Sequence, residues 1–206
     1  MHRLSTRIIA AAALVLGTAS AAQAQYTLTP VFSAPYRAFQ QHEIGVAMSS
    51  AGDYSLEGYY GYGVKNFDIE FRGGYISAPG GTRVALGAQV RERVITNSEQ
   101  FPLDGALTLG LGGNFGNGPA ALFVPVGLSL GRRFVVEGSK TSFVPYVQPF
   151  VGIEHVNANG ATASSTDLRG GLGLGVDIRF TNTFDVRVSG GVGDVSGIAL
   201  GVAFVR

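Results

Sequence analysis

The side chains that could do chemistry are arginines and carboxylates set two residues apart. Asp68, Glu70 and Arg72 share one parity, as do Arg91 and Arg93, Asp177 and Arg179, and Asp185 and Arg187; Glu154 and Arg169 stand singly. A spacing of two puts successive side chains on one face of a β-strand. Folding 167–180 onto 184–192 about Asn182 sets Arg179 opposite Asp185 and Asp177 opposite Arg187. The same exercise about the 77–82 turn sets Asp68 against Arg91 and Glu70 against Gln89, and about the 157–166 loop it sets Glu154 against Arg169. Opposite charges at facing positions favour the register that pairs them. What such pairs offer is an electrostatic lining, because charges withdrawn from water need partners.

Catalytic arrangements are harder to find. After residue 24 there are two histidines, His42 and His155. His155 is followed by Val156 and Asn157 rather than by a serine two positions on, which argues against a serine–histidine hydrolase. His42 and Asp53 fall at opposite ends of the first hairpin, which argues against an aspartate–histidine dyad. Two distant histidines make no metal site, and the polar 157–166 stretch has no acidic cluster for calcium. Gly170 to Gly175 is GGLGLG with no helix after it, so it is no dinucleotide fingerprint. The chain has no cysteine, which excludes thiol chemistry and disulfides. A formal charge of +1 gives no footprint for nucleic acid. The expectation is a protein that is not an enzyme, with no cofactor and no metal.

The elements that must position the charges are strands. Of 206 residues, 31 are glycine, 46% are hydrophobic and 14% charged, a composition too apolar for disorder. Alternation is clearest over 167–180, where Leu168, Leu172, Leu174, Val176, Ile178 and Phe180 share one face and Asp167, Arg169, Gly171, Gly173, Gly175, Asp177 and Arg179 the other. The same pattern predicts strands near 42–50, 54–62, 67–76, 82–95, 104–115, 120–136, 143–156, 167–180, 184–192 and 198–205, separated by turn compositions. Ten strands is the expected count and eight the alternative, the first two being weakest in pattern.

Residues 1–24 read as a secretory signal peptide: Arg3 and Arg7, an apolar core from Ile8 to Leu16, and a small-x-small Ala22-Gln23-Ala24 site. The expected organisation is a signal peptide at 1–24, an extended periplasmic lead-in at 25–41 and a barrel over 42–206. A soluble barrel would wear a surface dense in lysine and glutamate, whereas only Lys65 and Lys140 follow the signal, both in turns. The polar face is glycine, serine and alanine with paired charges, which suits a crowded lumen and leaves the apolar face for lipid. Phe180 with Phe184, Phe115 with Phe123, and Phe67 with Tyr75 fit interfacial girdles. The fold class is therefore all-β, an antiparallel up-and-down transmembrane barrel.

On this pattern the chain resembles the small eight- to ten-stranded bacterial outer-membrane β-barrel proteins, the OmpA-, OmpX- and OmpW-like class. The nearest thing to a motif is the end, where Ile198, Leu200, Val202 and Phe204 alternate up to a terminal aromatic, followed by Val205 and Arg206. The resemblance implies that this segment is the assembly signal. It also implies residence in the outer membrane, contact with its lipid, and handling by periplasmic chaperones and the barrel-assembly machinery. It places both termini in the periplasm, with short outer loops. Oligomeric state is not legible. Two readings of the lumen compete: a structural barrel with a filled interior, and a narrow conduit for ions or small solutes gated by Arg72, Arg91, Arg93, Arg169, Arg179 and Arg187. A soluble periplasmic barrel holding a small hydrophobic ligand is the distant third.

Overall fold

The protein is described here by a computed structural model covering residues 27–35, 42–65, 67–157 and 164–206. The expected signal peptide lies outside these residues. The strands are β1 (His42–Ser49), β2 (Tyr54–Val64), β3 (Phe67–Ala78), β4 (Gly81–Ile95), β5 (Asp104–Gly116), β6 (Ala120–Gly131), β7 (Phe134–Val135), β8 (Ser142–Asn157), β9 (Ser165–Arg179), β10 (Phe184–Gly193) and β11 (Gly197–Val205). Each long strand pairs antiparallel with the next, β6 pairs with β8, and β1 pairs with β11 through Ile44 opposite Phe204. The result is a closed ten-strand antiparallel barrel, and no helix occurs among the described residues. Closure removes the edges on which unpaired backbone groups would otherwise stand. The stretch expected as one strand over 120–136 ends at Gly131. Arg132 and Arg133 interrupt the ladder, and the chain resumes as the two-residue β7 against β8.

Hairpin chemistry follows glycine. Gly80 and Gly81 close β3 to β4 at φ 102° and 124°, a region open to a residue without Cβ. The β9–β10 register is the expected one, with Arg179 opposite Asp185 and Asp177 opposite Arg187, and β3–β4 sets Asp68 opposite Arg91 and Glu70 opposite Gln89. The β8–β9 register differs. Glu154 stands opposite Asp167 and Gly152 opposite Arg169, a slip of two residues from the expected pairing. The slip keeps parity, so Arg169 reaches Glu154 diagonally, Nε to Oε2 at 2.8 Å.

The distribution of apolar groups is inside-out for a water-soluble fold. Among the described residues 36 large apolar or aromatic side chains are exposed, while 19 apolar ones are buried, 8 of them alanine. Every long strand contributes to the outer belt: Ile44 on β1, Leu56 on β2, Phe71 on β3, Leu86 on β4, Leu109 on β5, Val124 on β6, Ile153 on β8, Leu174 on β9, Val188 on β10 and Leu200 on β11. Aromatics collect at the ends. Phe180, Phe184 and Phe204 form a row with centroid spacings of 6.5 and 5.3 Å, and Phe134 stacks on Phe143 at 5.3 Å. Phe115 and Tyr75 are exposed near the other end. Phe123 departs from the expected girdle: it is fully buried, because on β6 Leu122 and Val124 take the outer parity. Its ring lies over Gly152, where any Cβ would crowd it.

The described part of the segment expected as a lead-in makes no strand and lies within the barrel. Residues 27–35 run through its interior. Thr27, Leu28, Thr29, Val31, Phe32, Ser33 and Ala34 are all buried. Thr27 lies near Glu57 towards the end bearing the 50–53 and 194–196 turns, and Pro35 meets Gly131 towards the opposite end, where His42 pairs with Arg206. The first described residue and the C-terminus thus lie at opposite ends rather than on the one side that the resemblance implies. The segment divides the interior into two small apolar clusters. Leu28, Phe32 and Ala34 join Phe123, Val144, Tyr146 and Phe150; Val31 joins Ala47, Tyr59, Ala199 and Ala203.

Candidate functional site

The inward parity gathers the charges. Arg187, on β10, is the centre of one group. It donates to Glu43 Oε1 at 3.1 Å and Oε2 at 2.6 Å, and to the Tyr59 hydroxyl at 2.8 Å. It also lies 3.6 Å from Asp185 and 3.8 Å from Asp177. Asp185 in turn accepts two hydrogen bonds from Arg179, at 2.7 and 2.8 Å. This fork matches the planar guanidinium to a carboxylate and is stronger than a single contact. Arg72 forms a second group, donating to Glu70 at 2.5 Å with Glu57 at 3.8 Å. The Tyr59 ring joins the two: the Arg187 guanidinium stands 5.3 Å from its centroid and that of Arg72 5.7 Å. A third pair, Arg91 with Asp68, is closed by contacts of 2.9 to 3.1 Å, both side chains 1% exposed.

Two expected members sit at the mouths rather than deep inside. Arg93 is about one-third exposed and bonds Asp104 at 2.6 Å, where Asn97 also donates to the carboxylate. Arg169 is similarly exposed, between Glu154 and Asp194. Four carboxylates therefore belong to the site beyond those expected: Glu43, Glu57, Asp104 and Asp194. Glu43 and Glu57 carry a sequence signal, since each keeps parity with a small inward residue, Gly45 and Ser55 respectively.

Small wall residues make room for large ones. Gly45 lies under the Tyr59 ring, Gly175 under Tyr146, Gly171 beside Phe150 and Gly173 against Phe32; a Cβ at any of these would overlap the ring. A narrow cleft remains near the mouth at the Arg206 end, lined by Ala34, Arg133, Ser142, Val144, Asp177, Arg179 and Asp185. The histidines lie elsewhere. His42 meets the Tyr60 hydroxyl at 3.0 Å. His155, on the outer parity at the far rim, is held between Thr166 at 2.8 Å and Asn157 at 3.1 Å. Among the described residues no group of three histidine or acidic side chains converges on a metal position.

The Arg179–Asp185 fork gives a direct test of this arrangement. Asp185→Ala removes both acceptors of a mostly buried guanidinium, so it is expected to cost about 1–3 kcal/mol of folded-state stability. Asp177→Ala, whose contact to Arg187 is the longer one at 3.8 Å, is expected to cost less. Urea midpoints of the two refolded variants, read from the heat-modifiable gel shift, check the order.

No protein-family model matches the chain, and no curated protein matches it. Its fold is similar to that of a solved structure described as "De novo design of transmembrane beta-barrels", with 17% sequence identity over 82% of this chain and 97% of that one, at a TM-score of 0.40.

Proposed function

We propose that this chain is an integral outer-membrane β-barrel of the small class, a structural, non-enzymatic element whose charge-paired interior is filled by its own side chains and by residues 27–35. The carrying observation is the inversion of polarity. Apolar side chains from all ten long strands face outward, whereas Glu43, Glu57, Arg72 and Arg91 are almost wholly buried. In water such a belt is a large uncompensated patch; in lipid it is the required surface, and a closed barrel satisfies every ladder there. Aromatic rows at the barrel ends suit the two interfaces. The filled interior favours a structural role over a standing conduit.

The experiment is refolding into lipid vesicles. The reading expects co-flotation with the vesicles, heat-modifiable migration on gels, and little or no steady conductance in a planar bilayer. A folded chain that stays in the aqueous phase without detergent would overturn it in favour of a soluble barrel. The terminal alternation adds a kinetic test. Phe204 is exposed, stacks on Phe184 and faces Ile44 across the closing seam. Phe204→Ala is expected to slow assembly in cells severalfold while the refolded barrel keeps most of its urea resistance. Wild-type assembly yields would remove Phe204 from the assembly signal.

A further inference from the structure

Residues 27–35 are bound by the barrel in the manner of a peptide ligand. Their backbone joins no strand ladder. Instead wall side chains reach their carbonyl groups one after another: Ser189 donates to Pro30 O at 2.9 Å, Arg72 to Val31 O at 3.1 Å, Ser129 to Ser33 O at 2.7 Å and Arg91 to Ala34 O at 3.2 Å. The Phe32 amide donates to Ser189 Oγ at 3.2 Å, and the Thr27 hydroxyl to Glu57 at 2.9 Å. Pro30 and Pro35 lack amide donors and hold their predecessors extended, so the segment is poorly suited to adding a strand and well suited to lying along a wall.

The wall does not need this occupant in order to stay closed. All ten long strands pair with one another. Arg72 keeps Glu70, and Arg91 keeps Asp68, when the carbonyl groups leave. The wall refills the space poorly, because where the Phe32 ring meets β9 and β10 it meets glycine, at Gly173 and Gly191, with the Phe150 ring on another side. What would enter is water, which can bond the freed serines and guanidinium groups nearly as well as the peptide does.

On the reading that the barrel spans a membrane, we propose that residues 27–35 are a displaceable gate occupying a peptide-binding passage, and that their departure opens a path for small hydrophilic solutes. The path favours cations. Among the described residues seven carboxylates are buried inside against three arginines, and with the groups towards its ends, Arg93, Arg169, Arg179, Glu154 and Asp194, the balance is nine carboxylates against six arginines.

The test compares the full chain with a variant lacking 27–35 in planar bilayers, each first shown to float with vesicles and to migrate as a heat-modifiable band. The full chain is expected to be silent or to open briefly, and the deletion variant to show steady cation-selective steps. A synthetic peptide of residues 27–35 should block those steps, and the same peptide with Phe32→Ala should need at least about tenfold more, the factor that accompanies a modest loss of binding energy. An inserted, folded deletion variant that stays silent overturns the gate alone, whereas failure of both chains to float overturns the membrane reading. If the deletion variant does not fold, the full chain answers through Ser33→Cys, the only thiol then present. Slow labelling by a water-soluble maleimide in the folded barrel supports departure of the segment. Complete protection over hours, with labelling only after unfolding, overturns it.

Discussion

Leu109→Arg is expected to keep the chain from inserting into vesicles, whereas Leu109→Ala inserts. Leu109 is at mid-length in β5 and more than half exposed, with Leu107 and Leu111 beside it on the outer parity. Across the ladders it faces Val90 and Val126, both exposed. If this belt meets hydrocarbon, an arginine here stands near the bilayer midplane and costs about 2–4 kcal/mol. If the belt met water, the same change would replace an exposed apolar group by a solvated charge and would raise solubility. The sign of the effect therefore separates the two settings. The measurement is the fraction of refolded chain that floats with vesicles, together with its urea midpoint. An arginine variant that inserts with an unchanged midpoint would remove the lipid-facing assignment.

How much could be read from the chain depended on what fixed each register. The β9–β10 and β3–β4 hairpins have short connections, and both strands of each carry charges of one parity. Only one pairing then satisfies both the turn and the ion pairs, and Arg179 with Asp185 and Asp68 with Arg91 follow directly. Between β8 and β9 the long 157–166 stretch imposes no such turn. The charges alone preferred Glu154 opposite Arg169, whereas the ladder runs two residues along and lets the pair meet diagonally. Parity survived that error because a shift of two leaves every side chain on its face.

Other features had weaker signals. β2 reads Gly58-Tyr59-Tyr60-Gly61-Tyr62, and tyrosine and glycine on both parities blur the alternation that marks Glu57 as inward. Phe123 reads as a girdle residue because an aromatic near a turn looks the same on either parity until Gly152, diagonal to it on β8 and under its ring, is known. The 27–35 segment was least legible of all. It carries Leu28, Val31 and Phe32, but its burial rests on side chains more than forty residues away in sequence, such as Arg91 and Ser189, and no local period encodes that.

The inner face makes the second large prediction. Arg187→Ala is expected to cost about 3–5 kcal/mol, the range for removing one partner of a buried ionic group. The loss is large because of what is left behind. Glu43 is 1% exposed and loses both of its contacts to Arg187. Asp177 and Asp185 then face the same vacated space with less positive charge to hold them together, and the Tyr59 hydroxyl loses its contact to Arg187. Most of the cost is thus stranded negative charge rather than a lost attraction. It follows that also removing Glu43 should recover part of it. Glu43→Ala with Arg187→Ala is expected to be less destabilised than the two single changes added together, by a coupling of about 0.5–3 kcal/mol. Urea midpoints of the four refolded chains give that coupling directly. Additive losses would mean that the two side chains are each solvated separately and that the interior is wetter than its packing indicates. A positive coupling would place them in one water-poor network. Val188, one residue along, faces outward, so Val188→Ala should leave that coupling unchanged, and a change there would mean that the parity of β10 is wrong.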